Sequence, residues 1–241
     1  DTAALREMVA AAIDGGARLV QYRSKADSSR DRFAQAGALL ALCRARGVPL
    51  VVNDDVELAL ALGADGGHLG RGDGDPLEAR KRLPGAILGV SCYDDPGLAA
   101  AAEGAGADYV GVGSVFASPT KPQAARAGLA TLAQVRRRVR VPIAAIGGIT
   151  ASNAADAVAA GADMLAVISA LFDAPDVAAA IEAAPKAAWE KIEAYTARSG
   201  TVNQGWLLNL KVGHYGTDYL ARAWLSAFGI PANAPKDAVY P

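Results

Sequence analysis

The chain has 241 residues, 52% of them apolar, with 24 basic and 25 acidic side chains for a formal net charge of -1. That length covers one large domain, or one domain with an appendage, and the apolar share supports a sizeable core. The balanced charge argues against nucleic acid or a membrane surface as the main partner.

The two cysteines, Cys43 and Cys92, lack metal-ligand spacing and read as free buried thiols of a reducing compartment. No signal-peptide pattern is found. The most apolar run, residues 157–172, is cut by Asp163 and is too short to span a bilayer. A cytoplasmic protein is the expectation.

In chain order, residues 2–15 show helical spacing, with Leu5, Met8, Val9, Ala12 and Ile13 on one face. Thr2 is a candidate cap and Gly15-Gly16 a stop. A strand over 17–23 and a helix over 29–46 follow. Next come a strand at 48–54, a short helix at 56–62, a strand at 66–69 and a helix near 76–82. The series continues with a strand at 86–92, a helix at 96–104, a strand at 107–115 and a helix at 129–138. It ends with a strand at 142–148, a helix at 152–160, a strand at 164–169 and a helix to about Ala184. Strands that alternate with helices and are apolar on both faces are parallel and covered.

A short repeat supports a closed barrel over an open sheet. Gly-Ala followed by Arg or Asp precedes a strand at 16–18, 63–65, 106–108 and 161–163, returning every second βα unit. Barrels pack inward side chains in layers drawn from alternate strands. The fold expected is α/β, a (β/α)8 TIM barrel. Only seven strands are counted, and the first strand is expected to be absent, since Asp1 stands directly before the first helix. A strand with about four buried apolar residues contributes on the order of 6–12 kcal/mol, comparable with a domain's whole stability of about 5–15 kcal/mol. Either something fills the gap or the chain is expected to be fragile.

Barrel chemistry gathers at the carboxyl ends of the strands. The first strand ends Gln21-Tyr22-Arg23-Ser24-Lys25, where alternation puts residues 21, 23 and 25 on one side. The second ends Asn53-Asp54-Asp55. The third runs through His68-Leu69-Gly70 to Asp73, and the fourth ends at Ser91. After the fifth, a loop presents Ser118, Thr120 and Lys121, with Pro119 fixing the chain between the hydroxyls. The sixth ends Gly147-Gly148 and the seventh Ile168-Ser169, each expected to open a helix whose bare N–H groups hold a phosphate.

Each feature has an ordinary reading. Acidic residues after strands are often helix caps, Asp55 among them, and Gly-Gly is often a tight turn. His68 reads as a packing residue. Taken together, two carboxylates beside Lys and Arg suit a Mg²⁺ diphosphate, because Mg²⁺ uses few protein ligands and completes its shell with water and phosphate oxygens. The Gly-rich loops suit a second, singly phosphorylated ligand. No nucleophile–base pair is seen.

These residues resemble the thiamine-phosphate synthase family. The resemblance runs over about residues 1–184 and is carried by Gln21-Tyr-Arg-Ser-Lys25, Asn53-Asp54, His68-Leu-Gly-Arg-Gly-Asp73 and Gly89-Val-Ser91. It continues through Val115-Phe-Ala-Ser-Pro-Thr-Lys-Pro122, Ala145-Ile-Gly-Gly-Ile149 and Val167-Ile-Ser169. It implies a barrel that joins hydroxymethylpyrimidine diphosphate to thiazole phosphate and releases pyrophosphate. It implies that Gln21, Tyr22, Arg23, Ser24, Lys25, Asn53, Ser91 and Lys121 hold the pyrimidine diphosphate. Arg23, Lys25, Lys121 and Ser91 would act in catalysis, and Asp54 and Asp73 would bind Mg²⁺. Ser118, Thr120, Gly148, Ile168 and Ser169 would hold the thiazole phosphate. The family chemistry forms a pyrimidinylmethyl cation that the thiazole nitrogen attacks, so no protein nucleophile is required. Two residues depart from the family pattern: Arg71 stands where Gln is usual, and Ser118 where Thr is usual.

Pro185 marks a change of character. Residues 185–241 hold all three Trp and read as a mainly helical appendage, with helices at 186–198 and 217–228. Residues 206–212 read as strand or helix. Residues 213–223, with the ending 231–241, resemble part of an uncharacterised bacterial family, from which no activity carries over. One arrangement puts residues 206–212 in the empty first-strand place, although Asn209 and Lys211 would then lie on one side of a strand expected to be buried on both. Otherwise the tail's aromatics pack on the barrel or on a second copy of the chain. Two other functions compete with the transferase. One is a related barrel that isomerises a thiazole phosphate, against which Asp54, Asp73 and Lys121 argue. The other is a non-catalytic truncated barrel that only binds phosphate ligands or partners.

Overall fold

The structure, a computed structural model, describes residues 2–14, 17–24, 28–117, 126–150, 152–167, 205–212 and 219–225. Helix α1 (Thr2–Asp14) buries Leu5, Val9, Ala12 and Ile13, the stripe its spacing predicts. There follow β1 (Ala17–Ser24), α2 (Ser29–Ala45), β2 (Leu50–Asn53), α3 (Val56–Leu62), β3 (Gly66–Leu69) and α4 (Pro76–Arg82). The series goes on through β4 (Ile87–Tyr93), α5 (Pro96–Gly104), β5 (Tyr109–Gly113), α6 (Gly128–Arg136), β6 (Ile143–Ile146), α7 (Ala154–Ala159) and β7 (Met164–Val167). Each expected element up to residue 167 is present, with ends shifted by a residue or two. The helix expected to reach about Ala184, and the one at 186–198, lie outside the described residues.

Strands β1 to β7 pair in sequence order, each parallel to the next. This is a TIM-like α/β arrangement, and it brings all seven carboxyl ends to one rim. The helix starts are fixed by side-chain caps. Asp55 accepts from Leu58 N at 2.9 Å, Asp75 from Leu77 N at 2.9 Å and Asp95 from Gly97 N at 2.7 Å. Asp55 is therefore a cap, and it also faces Arg32 at 3.7 Å. Both cysteines are buried and free, and burial pushes each thiol up to about 12. No helix among the described residues is long and apolar enough to cross a membrane.

The Gly-Ala-Asp repeat has a structural cause at the opposite rim. Asp65 accepts from Leu50 N, Asp108 from Leu88 N and Asp163 from Ile143 N, each at 2.8 Å. Each carboxylate thus ties the start of its own strand to the start of the strand before. In two of the three, a helix Arg completes a clamp. Arg80 pairs with Asp108 and also donates to Gly106 O, Leu83 O and Ala86 O. Arg136 pairs with Asp163 at 2.7 Å and donates to Val139 O and Val141 O. The repeat's glycine makes room: at Gly161, φ is +108° and a Cβ would lie 2.8 Å from the Arg136 side chain.

Beyond residue 200 the described segments are strands. β8 (Gly205–Val212) runs parallel to β1, with Val20 opposite Leu208, and parallel to β7, with Val167 opposite Leu208. It stands between the first and last of the seven strands. β9 (Tyr219–Leu225) runs antiparallel to β8. The helix expected over 217–228 is therefore corrected to strand at 219–225. Pairing with β8 overrides a helix-like pattern because strand formation depends on partners distant in sequence.

Candidate active site

The site forms where β1, β2 and β3 end. Arg23 leaves β1 on the same side as Gln21, and its Nε donates to Asp54 Oδ2 at 2.7 Å. Asn53, the last residue of β2, donates from Nδ2 to Asp54 Oδ1. Asp54 itself has φ +67°, a left-handed conformation that is uncommon for a residue with a side chain. Strain of this kind is held in place by surrounding contacts and clusters at functional sites. Here Arg23 and Asn53 bond the carboxylate, and the Asp54 amide donates to His68 O at 2.8 Å.

The second carboxylate arrives from the turn after β3. Asp73 Oδ2 accepts from Gly70 N at 2.7 Å. A Cβ added at Gly70 would lie 3.0 Å from Asp73 Oδ2, 3.3 Å from the Tyr93 hydroxyl and 3.8 Å from Asp54 Oδ1. The missing side chain is what lets the two carboxylates approach the same small volume. Their proton affinities diverge accordingly. Burial works to raise Asp54, but the hydrogen bond with Asp73 and the Arg23 guanidinium outweigh it and hold Asp54 below the ordinary value. Asp73 is held above it by burial and by the hydrogen bond and charge of Asp54, against the Gly70 N–H. Two close carboxylates that resist double ionisation are a donor set suited to a hard divalent cation, whose charge removes that conflict. No group of three or more His, Cys, Asp or Glu side chains able to hold a metal occurs among the described residues.

Ser91, near the end of β4, places its Oγ 2.8 Å from His68 Nε2. Gln21 lies deeper, 2% exposed, and donates from Nε2 to the Tyr109 hydroxyl at 3.3 Å. Tyr22 departs from expectation. Strand alternation turns it toward α2, where its hydroxyl donates to Gln35 Oε1 at 2.9 Å. The Ser24 hydroxyl hydrogen-bonds Tyr22 on that same side. Tyr22 thus points away from the cluster formed by Arg23, Asn53, Asp54 and Asp73. Gly147 and Gly148, with φ +96° and +65°, form a turn after β6, and α7 starts only at Ala154. The expected bare helix start at Gly148 is corrected. Thr150 N donates to Asn153 Oδ1, and Asn153 Nδ2 donates to Gly148 O, so the Asn153 side chain bonds the stretch between the glycines and α7. Lys25, Ser118, Thr120, Lys121, Ile168 and Ser169 lie outside the described residues.

Two residues gain a role that sequence reasoning did not assign. His68 is buried at the end of β3, as expected of a structural residue, and both its ring nitrogens are engaged, with Tyr109 and with Ser91. Arg71 is exposed. Its guanidinium lies 4.7 Å from the centre of the Tyr93 ring, and its backbone N–H donates to the Tyr93 hydroxyl at 2.6 Å.

The thiamine monophosphate synthase family model matches residues 1–171. The thiamine-phosphate synthase of Thiobacillus denitrificans is 57% identical over 178 residues, 73% of this chain and 84% of that protein. The one from Aromatoleum aromaticum is 55% identical over 177 residues, 73% of this chain and 85% of its own. The solved thiamine phosphate pyrophosphorylase of Pyrococcus furiosus superposes with a TM-score of 0.71 at 37% identity, covering 78% of this chain and 90% of its own. The orotidine 5'-phosphate decarboxylase of Pyrococcus horikoshii, at TM-score 0.59 and 17% identity, shares the fold alone. With a match across the seven strands that carry Arg23, Asp54, Asp73 and Ser91, the chain belongs to the thiamine monophosphate synthase family.

Proposed function

We propose that this barrel joins hydroxymethylpyrimidine diphosphate to thiazole phosphate, forming a carbon–nitrogen bond and releasing pyrophosphate, and that Asp54 and Asp73 hold the Mg²⁺ it uses. The observation that carries the reading is the convergence of Arg23, Asn53, Asp54 and Asp73 at adjoining strand ends. When bound, Mg²⁺ would supply positive charge to the diphosphate oxygens. Arg23 orients Asp54 and adds a fixed guanidinium beside the leaving group. Charge placed in advance stabilises the extra negative charge that builds on the departing diphosphate more than it stabilises the intact ester, and so accelerates bond breaking.

The carbon–oxygen bond to the diphosphate breaks first, and the electron pair leaves with pyrophosphate. The thiazole nitrogen then donates its lone pair to the methylene carbon. No side chain needs to become a nucleophile, in keeping with cysteine thiols that burial holds protonated. Ser91 and Gln21 meet the pyrimidine half, with Lys25 and Lys121 as further cations for its diphosphate. Ser118, Thr120, Gly148, Ile168 and Ser169 meet the thiazole phosphate. The same reading assigns these substrate contacts to residues 1–184 and leaves 185–241 a structural part, with β8 in the place of a first strand. The parallel pairings of β8 with β1 and β7 support that part of it. The free buried thiols support the cytoplasm as its setting. Pyrophosphate release from the two substrates with Mg²⁺ tests the function, and binding of thiazole phosphate without turnover would replace it with a ligand-binding role.

A further inference from the structure

A buried polar chain crosses the barrel beneath the site. Gln21 Nε2 on β1 donates to the Tyr109 hydroxyl on β5 at 3.3 Å. That hydroxyl lies 2.8 Å from His68 Nδ1 on β3, and His68 Nε2 lies 2.8 Å from Ser91 Oγ on β4. Gln21, His68 and Tyr109 are at most 6% exposed. Three come from alternate strands, as an interior barrel layer does, but this layer is polar where aliphatic packing is the norm. Buried polar groups without partners are costly, so this layer is stable only as a connected set.

The neighbouring strand is shaped around it. Gly89 stands between His68 and Tyr109 in the sheet register. A Cβ there would lie 2.1 Å from Tyr109 Cζ and 2.4 Å from His68 Nδ1. The ring centres lie 5.4 Å apart across this bare position.

Donor chemistry gives the chain a direction. The Gln21 amide nitrogen only donates, so the Tyr109 oxygen accepts there. With the phenol proton assigned to His68 Nδ1, 2.8 Å away, the chain runs one way. His68 then carries its proton on Nε2, and Ser91 Oγ accepts it. The Ser91 proton is left to point elsewhere.

We propose that His68 and Tyr109 are positioning residues that hold Ser91 as a hydrogen-bond donor toward the strand ends, so that it recognises an acceptor atom of the pyrimidine diphosphate. The ligand side of this inference rests on the proposed function; the direction of the chain does not.

The test has two arms on the full chain. In protein labelled with ¹⁵N-histidine, the signal removed by His68→Asn is expected to be the neutral Nε2–H tautomer at neutral pH. It is expected to change in Tyr109→Phe. An Nδ1–H tautomer, or an imidazolium, would overturn the proposal whether or not the enzyme turns over. In kinetics, Tyr109→Phe keeps the ring and deletes the hydroxyl, and with it the hydrogen bonds shared with Gln21 and His68. The KM for the pyrimidine diphosphate is expected to rise about tenfold, the scale of one hydrogen bond, with the KM for thiazole phosphate unchanged. Lower thermal stability with both KM values unchanged would reduce the chain to a packing role and overturn it. A wild-type chain that gives no turnover would sink the proposed function, and the tautomer would still decide this proposal.

Discussion

Arg23 Nε donates to Asp54 Oδ2 at 2.7 Å, joining the end of β1 to the residue that follows β2. The contact holds a carboxylate that sits in a left-handed backbone conformation, and it lowers that carboxylate's proton affinity. It therefore both aims and ionises the group read as a metal ligand. Arg23→Ala is expected to lower kcat/KM by about 10²-fold or more, on the scale of losing one preorganised electrostatic contact. Arg23→Lys keeps the charge but loses the guanidinium geometry, and should recover only part of that loss. Steady-state pyrophosphate release measures both.

The clamps at the far rim should affect stability and leave catalysis alone. Arg136→Ala removes an ion pair to Asp163 and a donor shared by Val139 O and Val141 O. It is expected to cost about 1–3 kcal/mol in urea unfolding, because partly buried acceptors lose their donors. The kcat/KM of the folded enzyme should be unchanged.

Much of this was legible because it is local. The stripe of α1, the Asp caps and the strand-end motifs are each read within a few residues. What resisted reading depends on distance in sequence. His68 looks like a packing residue until barrel closure brings Tyr109, 41 residues away, onto its Nδ1. Gly89 was the available signal, since a bare position in a central strand marks a close approach. Tyr22 was placed with Gln21 and Arg23 by the family resemblance, although period-2 alternation sends it to the helix side. The strand at Tyr219–Leu225 was hidden because its pattern reads as helical without β8 beside it.

β8 makes a prediction of its own. Standing between β7 and β1, it satisfies backbone groups on both strands. Deleting residues 200–241 is expected to destabilise the barrel strongly, and Leu208→Pro, which removes a ladder donor, should do the same to a lesser degree. Unfolding midpoints unchanged by both would show that the tail does not support the barrel.

Alkaline stability follows from the thiols. Cys43 and Cys92 have their pKa raised by burial from 9.0 to about 12. A raised folded value means that stability is fully present below about pH 9 and falls as pH rises toward 12, where the unfolded chain releases protons that the folded chain keeps. The denaturation midpoint should fall between pH 8 and about 10.5. The slope should flatten in the Cys43→Ala/Cys92→Ala double variant.

The central claim is a magnesium-assisted departure of pyrophosphate at Asp54 and Asp73. The direct measurement is pyrophosphate release by the full chain with both substrates, titrated with Mg²⁺, in wild type and Asp54→Ala. The account predicts Mg²⁺-dependent release in the wild type and its loss in the variant, with the variant still folded by circular dichroism. Release that is equal in the two proteins, or that ignores Mg²⁺, would contradict it.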